Sequence, residues 1–130
     1  MSTENVRPEV RSAIEAARDK KADAITLLDL TGLGAFTDAF LICTGYSTPQ
    51  VEAITDAIEA KLKAGGLRPL HREGRSGAEW VLLDYGGFVV HVLTERMRLF
   101  YDLERLWRMG RRIDFEESEP GASAAGGNSP

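Results

Sequence analysis

Apolar residues recur at helical spacing in two stretches of the first half of the chain. One begins at Pro8, a residue suited to the first turn of a helix, and ends at the charged cluster 18–21. The other has Thr48 as its N-cap and Pro49 at the first helical position, and Gly65-Gly66 ends it. Its apolar stripe consists of Val51, Ile54, Ile58 and Leu62.

Shorter apolar runs predict strands. Ala24–Leu30 alternates in part, and Phe40–Thr44 is almost wholly apolar, as in a strand covered on both faces. Leu67–His71 is an edge-strand candidate, because Pro69 lacks the N–H group that a central strand needs. The polar segment Glu73–Gly77 that follows is predicted to be a turn.

Trp80–Tyr85 and Phe88–Leu93, separated by Gly86-Gly87, give the strongest hairpin signal in the chain. Alternation along the first of these strands puts one set of side chains on one face of the sheet and a second set on the other. The first set is Trp80, Leu82 and Asp84, and the second is Val81, Leu83 and Tyr85. Because both faces of this strand carry large apolar side chains, each face must be shielded from water by another layer. One is a helix layer, and the other is either internal or a partner.

A third helical period runs over Arg96–Met109, with Leu99, Leu103 and Leu106 on one stripe and Trp107 beside it. Residues 95–112 hold six arginines against three acidic residues, a net charge of +3. Direct binding of ribosomal RNA through this segment is therefore one hypothesis, although half of these arginines suit a solvated helix face.

These elements predict a single domain over residues 1–112, of the α/β (α+β) class, with a mixed sheet of about five strands and flanking helices. From Glu116 onward no aromatic or branched aliphatic residue occurs. Such a stretch buries too little apolar surface to offset the entropy lost on ordering. Residues 113–130 are therefore expected to be a disordered acidic tail rich in Gly, Ser and Ala.

The composition is that of an ordinary globular domain, with 130 residues, 43% hydrophobic and 28% charged. A net charge of −4 argues against a protein that coats nucleic acid by bulk electrostatics, and no sequence-specific nucleic-acid partner is expected. The single Cys43 excludes a disulfide framework and a cysteine-based zinc cluster, as expected of a cytoplasmic protein. No run approaches the ~18 apolar residues of a membrane span, so no membrane partner is expected.

Candidate chemistry is sparse. Gly45 and residues 46–48 join a strand to a helix, where backbone N–H groups can hold a phosphate, although helix capping explains the same residues. The lysine of a phosphate-binding loop is absent, and Asp56 and Glu59, the next acidic pair, lie within a helix. His91 is expected to be a structural histidine within a strand. No catalytic residue, metal site or cofactor is predicted, and a nucleotidyltransferase-like, nucleotide-binding enzyme is the second hypothesis.

Several segments in a fixed order carry a resemblance to a known family. They are DAFLICT at 38–44 followed by Gly45, Ser47 and Thr48, then Glu73-Gly74, EWVLLDYGGFVVHVL at 79–93 and FYDLERLW at 100–107. Together they resemble the ribosomal silencing factor family, also called the Iojap family, over roughly residues 8–108. The resemblance implies a mixed α/β fold related in topology to nucleotidyltransferases but without their catalytic carboxylates.

The resemblance also implies a function. Family members bind the large ribosomal subunit through its fourteenth ribosomal protein, at the face that meets the small subunit. The bound factor blocks subunit association and represses translation, and relatives in organelles assist maturation of the large subunit. A homodimer that competes with ribosome binding is implied as well.

Residue by residue, the resemblance centres the partner surface on Trp80, with Leu82, Asp84 and Tyr85 beside it. Four further residues match motif positions that core packing explains equally well: His91, Tyr101, Glu104 and Trp107. Asp38, Gly45 and Glu73 also match the family pattern, and we assign them to turn geometry and capping in preference to contact with a partner. Gly86-Gly87 stands where many relatives carry Gly-Asp, so one turn carboxylate is missing here.

Overall fold

The computed structural model describes residues 6–102, 105 and 110–115. Along them the chain forms helices and strands of a mixed α/β fold, as predicted. The elements are α1 (Pro8–Asp19), β1 (Asp23–Asp29), β2 (Ala39–Gly45), α2 (Thr48–Ala64), β3 (His71–Glu73), β4 (Trp80–Asp84), β5 (Val89–Thr94), α3 (Glu95–Tyr101) and β6 (Arg111–Phe115).

The six strands form one sheet in the order β3-β4-β5-β2-β1-β6. The central pair, β2 and β5, is parallel, and the other neighbouring strands are antiparallel. The predicted hairpin is β4–β5, in which Leu82 lies opposite His91. Its turn contains Gly86 at φ +89°, a conformation that glycine adopts without strain.

Helices α1 and α2 cover one face of the sheet. Val10, Ile14 and Ala17 of α1 are buried there, together with the predicted apolar stripe of α2. The N-cap of α2 is Ser47 and not Thr48, which is the first helical residue. The Ser47 hydroxyl accepts a hydrogen bond from the backbone N–H of Gln50 at 3.2 Å and so satisfies one of the free N–H groups of the first turn.

On the opposite face, the described part of the chain provides a smaller cover than the two helices provide on the first. The buried residues there are Leu28, Leu30, Phe40, Ile42, Val89 and Leu93. Ala35 from the β1–β2 connection and Met97 from α3 pack against them, as do the partly buried Trp80 and Leu82 of β4. The predicted alternation along β4 is confirmed, and the second cover is partly internal. We call this the open face of the sheet.

The edge strand β3 differs from its prediction. It covers His71–Glu73 and not Leu67–His71, so Glu73 is a strand residue and the turn begins at Gly74. The reason lies in the next residues, since Gly74 has φ +98° and the main chain of Trp80 passes directly beside it. The chain can leave the sheet there because a glycine brings no side chain into that gap.

Over the described residues, the predicted third helix is interrupted after its first part, which is α3. Helix α3 ends at Tyr101, and Asp102 follows in the left-handed conformation with φ +50°. Leu99, the first residue of the predicted apolar stripe, is 75% exposed. Leu103, Leu106 and the remainder of the predicted helix, apart from Arg105, lie outside the described residues.

Strand β6 was not predicted, and it moves the boundary of the domain beyond residue 112. It pairs with β1, placing Ile113 opposite Leu27 and Phe115 opposite Ile25, and both of its apolar side chains pack against the core under the helices. Residues 113–115 therefore belong to the sheet and not to a tail. Residues 116–130 lie outside the described part of the chain.

Candidate functional site

A row of aromatic rings crosses the open face. Its members are, in spatial order, Phe36, Phe40, His91, Trp80, Tyr101 and Phe100. Neighbouring ring centres are 4.6 to 6.0 Å apart, within the range of favourable aromatic contacts. We call this set the aromatic row.

The middle of the aromatic row is anchored in the protein and its ends are open to solvent. Phe40 and His91 are buried, and Trp80 is partly buried. The side chains of Phe36 and Phe100 are 70% and 76% exposed. A connected group of large apolar side chains that reaches the surface is typical of a site that binds another molecule.

Trp80 is held in place by His91. The indole Nε1–H donates a hydrogen bond to Nδ1 of His91 at 3.1 Å. Burial lowers the pKa of His91 to about 4, so the ring is neutral at pH 7 and carries its proton on Nε2. That buried Nε2 has no hydrogen-bond partner among the described residues. His91 is buried within β5, and its hydrogen bond orients the tryptophan.

Leu82 and Asp84 share the face of Trp80. Leu82 is partly buried opposite His91, and Asp84 lies opposite Val89 at the end of the strand. One carboxylate oxygen of Asp84 accepts a hydrogen bond from the Gly86 N–H at 2.8 Å. Asp84 therefore also stabilises the hairpin turn.

Tyr85 does not join this surface. It is 7% exposed on the opposite face, under the helices, where its ring stacks on Phe88 with centres 5.0 Å apart. Burial raises the pKa of its hydroxyl to about 12. Its assignment to the partner surface beside Trp80 is wrong. Side chains alternate between the two faces along the chain, and Tyr85, an odd number of positions after Trp80, projects to the opposite face.

The remaining predicted residues divide into three groups. Asp38 contributes main-chain bonds, accepting from the Leu30 N–H at 2.7 Å and donating to the Gly87 carbonyl at 3.2 Å, as expected of a turn residue. Glu73 and Tyr101 lie at the open face, since Glu73 is opposite Leu82 and the ring of Tyr101 is 4.7 Å from that of Trp80. Glu104 and Trp107 lie outside the described residues.

Sequence reasoning missed Phe36 and Arg98. Phe36 stands in a glycine-containing connection, and an exposed aromatic residue in such a segment was the available signal. The guanidinium group of Arg98 donates to the hydroxyls of Thr44 and Thr26 at 2.8 and 3.0 Å and to the Ala24 carbonyl at 2.6 Å. These bonds fix α3 against β1 and β2, and so position Tyr101 beside Trp80.

The catalytic alternatives find no geometry among the residues that the structure describes. At the turn before α2, the Ser47 hydroxyl caps the helix by accepting from the Gln50 N–H. Within 6–102, 105 and 110–115, no three His, Cys, Asp or Glu side chains come together as metal ligands. Cys43 is fully buried, and burial raises the pKa of its thiol to about 12. None of the helices seen in this part of the chain is long and apolar enough to span a membrane.

The arginines of residues 95–112 are largely engaged within the protein. Arg96 pairs with Glu79, and Arg98 binds the sheet as described. Arg112 and Asp114 are 2.9 Å apart, and Arg111 lies 3.9 Å from Asp29. Arg105 is exposed, and residue 108 lies outside the described part. The segment is therefore a weaker candidate for RNA binding than its charge indicated.

Comparison with known proteins gives a consistent result. Residues 3–129 match the family described as RsfS, "Ribosomal silencing factor during starvation". The chain is 40% identical over 103 residues to "Ribosomal silencing factor RsfS" of Bacillus subtilis, covering 79% of this chain and 87% of that protein. It is 38% identical over 104 residues to the protein of the same name from Halalkalibacterium halodurans, covering 80% and 89%. A crystal structure of a Chromobacterium violaceum protein, 34% identical, superposes with a TM-score of 0.74 over 95% of this chain and 98% of that one.

Proposed function

Because the chain belongs to the ribosomal silencing factor family, we propose that it binds the large ribosomal subunit and prevents the small subunit from joining it. The protein contacted is the fourteenth ribosomal protein of the large subunit, at the face that meets the small subunit. Occupation of that face represses translation by steric exclusion, and the same binding supports a role in maturation of the large subunit.

The observation that carries this proposal is the aromatic row with its open ends. Tryptophan and tyrosine dominate the energetics of protein interfaces, because they bury much apolar area at little cost in side-chain entropy. Trp80 is anchored by His91 and by Tyr101 before any partner arrives. A partner therefore finds its largest contact residue already oriented, which reduces the entropy lost on binding.

Charge supports the same choice of partner. The chain has a net charge of −4, and Glu73 and Asp84 stand on the open face near Leu82. Carboxylates at the rim of an apolar surface attract a basic ribosomal protein and are repelled by RNA phosphates. We place the protein in the cytoplasm, where this partner is assembled into ribosomes.

The proposal includes a homodimer in which two copies bury the aromatic row against each other. Such a dimer hides the residues that the ribosomal protein needs, so dimer and ribosome complex exclude each other. Dilution then favours ribosome binding by mass action.

The direct test uses purified subunits. The protein should sediment with the large subunit and not with the small one, and should reduce 70S formation measured by light scattering without added nucleotide. Phe36→Ala combined with Phe100→Ala should weaken the inhibition at least tenfold, because the partner loses the two exposed ends of the aromatic row. The fold should be unaffected, since both side chains are exposed and lie outside the core.

The matched control is Tyr46→Ala. Tyr46 is 67% exposed and donates a hydrogen bond to Asp23, and it is no member of the aromatic row. This variant should inhibit subunit association as the unchanged protein does. Inhibition that requires nucleotide hydrolysis, or equal loss in both variants, would contradict the proposal.

A further inference from the structure

Helix α3 carries two of the six rings of the aromatic row, yet all of its residues are at least partly exposed. It has seven residues, fewer than an isolated helix needs to be stable in water. Met97 packs against the apolar residues of the open face, and no other described side chain of α3 joins either cluster of core residues. The helix therefore depends on polar contacts for its position, and Arg98 provides them.

The site that receives the Arg98 guanidinium group is built into β1 and β2. The hydroxyls of Thr44 and Thr26 accept from it at 2.8 and 3.0 Å, and both threonines are buried. The Ala24 carbonyl is the third acceptor, at 2.6 Å. Ala24 lies where the pairing of β1 with β2 shifts register, and it has φ +48°, a conformation that is unfavourable for a residue with a side chain. The backbone is thus strained at the point where it presents a carbonyl to Arg98.

Asp114 of β6 determines how Thr26 meets this guanidinium group. The Thr26 hydroxyl donates to the carboxylate of Asp114 at 2.9 Å. Because a hydroxyl has a single hydrogen, one that donates to Asp114 turns its lone pairs toward Arg98. The other acceptor near that hydrogen is the Ala24 carbonyl at 3.4 Å, which Arg98 itself binds. Asp114 therefore fixes the Thr26 hydroxyl as an acceptor for Arg98.

Asp114 lies far from the interface residues that it supports. Four strand spacings separate β6 from β4, which carries Trp80, a distance of about 19 Å. Tyr101 follows Arg98 by three residues, on the same side of α3, and its ring centre is 4.7 Å from that of Trp80. A hydrogen-bonded chain thus leads from the edge of the sheet, through Thr26 and Arg98, to the ring beside Trp80.

We propose that Asp114 and Thr26 are positioning residues for partner binding. Through Arg98 they hold α3 on the sheet, and with it the rings of Tyr101 and Phe100. This inference rests on the proposed function and deepens it, because it assigns part of the affinity to a residue that the partner does not touch: Thr26 is 1% exposed. When the chain of hydrogen bonds is broken, α3 is docked in fewer molecules, and the apparent affinity falls with the docked fraction.

The test uses four single variants of the full chain. Thr26→Val removes the hydroxyl and keeps the shape of the side chain, whereas Thr26→Ser keeps the hydroxyl. Asp114→Ala removes the carboxylate. Asp19→Ala is its matched control, because it removes the same charge at the exposed end of α1, on the side of the sheet that the helices cover.

Two measurements are made on each variant. Amide hydrogen exchange over residues 95–101 of the free protein reports the docking of α3, and the amides of α2 report any change in global stability. Relative to α2, exchange in α3 should be at least fivefold faster in Thr26→Val and in Asp114→Ala. Both variants should bind the isolated fourteenth ribosomal protein at least threefold more weakly, well below the melting temperature. Thr26→Ser and Asp19→Ala should match the unchanged chain in both measurements.

A double-mutant cycle shows whether the effect passes through the rings. In a background with Phe100→Ala and Tyr101→Ala, α3 no longer presents either ring to the partner. Thr26→Val should then cause no further loss of binding, because the coupling between the two sites has been removed.

The contrary outcomes are distinct. Unchanged exchange in α3, or unchanged binding, in Thr26→Val would overturn the inference. Weakening that persists in full without the two rings would overturn it too, as would weakening in Asp114→Ala alone, which would assign Asp114 to a direct contact. If the unchanged chain does not bind the ribosomal protein, the proposed function fails, and exchange in the free protein still decides whether Thr26 and Asp114 hold α3.

Discussion

The hydrogen bond from Trp80 to His91 requires a neutral histidine. Nδ1 of His91 accepts the indole N–H only while it is unprotonated, and the ring is 4% exposed among apolar side chains. Protonation would place two donors against each other and a charge in the core. The orientation of Trp80 is therefore linked to the charge of one buried side chain.

Stability should consequently depend on pH. The pKa of His91 is about 4 in the fold and 6.5 in an unfolded chain, so between these values the unfolded chain binds more protons. Folding is then fully favoured above pH 6.5 and loses about 2 kcal/mol by pH 5 from this group. Urea unfolding at pH 8 and pH 5 measures the loss. His91→Gln, which keeps an acceptor for the indole, should lose less over the same interval, and an equal loss would show that other groups are responsible.

Trp80→Ala should separate binding from folding. Removing a pre-oriented aromatic anchor costs about 2 kcal/mol or more at an interface, about 30-fold in affinity. Because Trp80 is only partly buried, the loss of folding stability should stay below the ~3–5 kcal/mol of a fully buried aromatic residue. Binding to the isolated ribosomal protein and thermal unfolding are measured on the same variant. A variant that melts far earlier yet binds normally in the cold would assign Trp80 to the core alone.

Gly74 is required by a close backbone approach. A Cβ atom there would lie 2.6 Å from the Trp80 carbonyl oxygen, and the residue has φ +98°. Gly74→Ala should cost at least about 2 kcal/mol in urea unfolding, from strain and from displacement of β4. Gly77→Ala, at φ +84° with nothing within 4 Å, should cost about 1 kcal/mol. Equal losses would mean that the conformation alone matters and not the space.

Local sequence patterns predicted those helices and strands whose start, end and buried positions are marked by their own residues. The second helix has a proline in its first turn, an apolar stripe and terminal glycines, and only its N-cap was displaced by one residue, from Thr48 to Ser47. The hairpin β4–β5 followed from its turn glycines and its alternation. These signals lie within a few residues of one another, so they require no knowledge of distant contacts.

Strand β6 depends on distant contacts and was missed for that reason. Its only apolar side chains are Ile113 and Phe115, too few for a periodic signal, and its pairing partner β1 lies at the other end of the sequence. The aromatic row was predictable only in part for the same reason. Phe40 lies near His91 because β2 and β5 pair in parallel, a register that no local pattern contains.

Two truncations should reveal what β6 contributes. Ending the chain after Phe115 removes a segment without core-forming residues and should change the melting temperature by no more than about 2 °C. Ending it after Gly110 also removes Ile113 and Phe115 from the core and uncovers the edge of β1. That should cost at least about 2 kcal/mol, or ~8 °C in a domain of this size. Equal melting of the two truncations would show that β6 adds no stability.

Over the residues that the structure describes, the sheet has a closed face under α1 and α2 and the open face on its other side. Helices α1 and α2 complete the core on the closed face, where burial and helix capping account for the residues present. On the open face, Phe36 and Phe100 are largely exposed and so contribute little to the core. This division agrees with a protein that acts by occupying a surface.

Nucleotides should therefore leave the domain unaffected. A nucleotide at a hundred times its dissociation constant adds ~2.7 kcal/mol of stability to a protein that binds it. ATP or GTP at millimolar concentration, with Mg²⁺, should leave the melting temperature unchanged, as should Mg²⁺ alone. A rise of several degrees with nucleotide would revive the nucleotidyltransferase-like alternative and direct attention to the turn at residues 45–48.

The parallel pairing of β2 with β5 also determines the order in which the domain can be assembled. Phe40 of β2 is paired with Val89 of β5. The residues between them, including α2, β3 and β4, are therefore synthesised before these two central strands can pair. Closing so long a loop is entropically costly, and folds rich in distant pairings form slowly. A chain still emerging during its own translation thus has no aromatic row, because its central rings meet only when β5 joins β2. The surface proposed to silence ribosomes therefore forms only after β5 and α3 have both been synthesised.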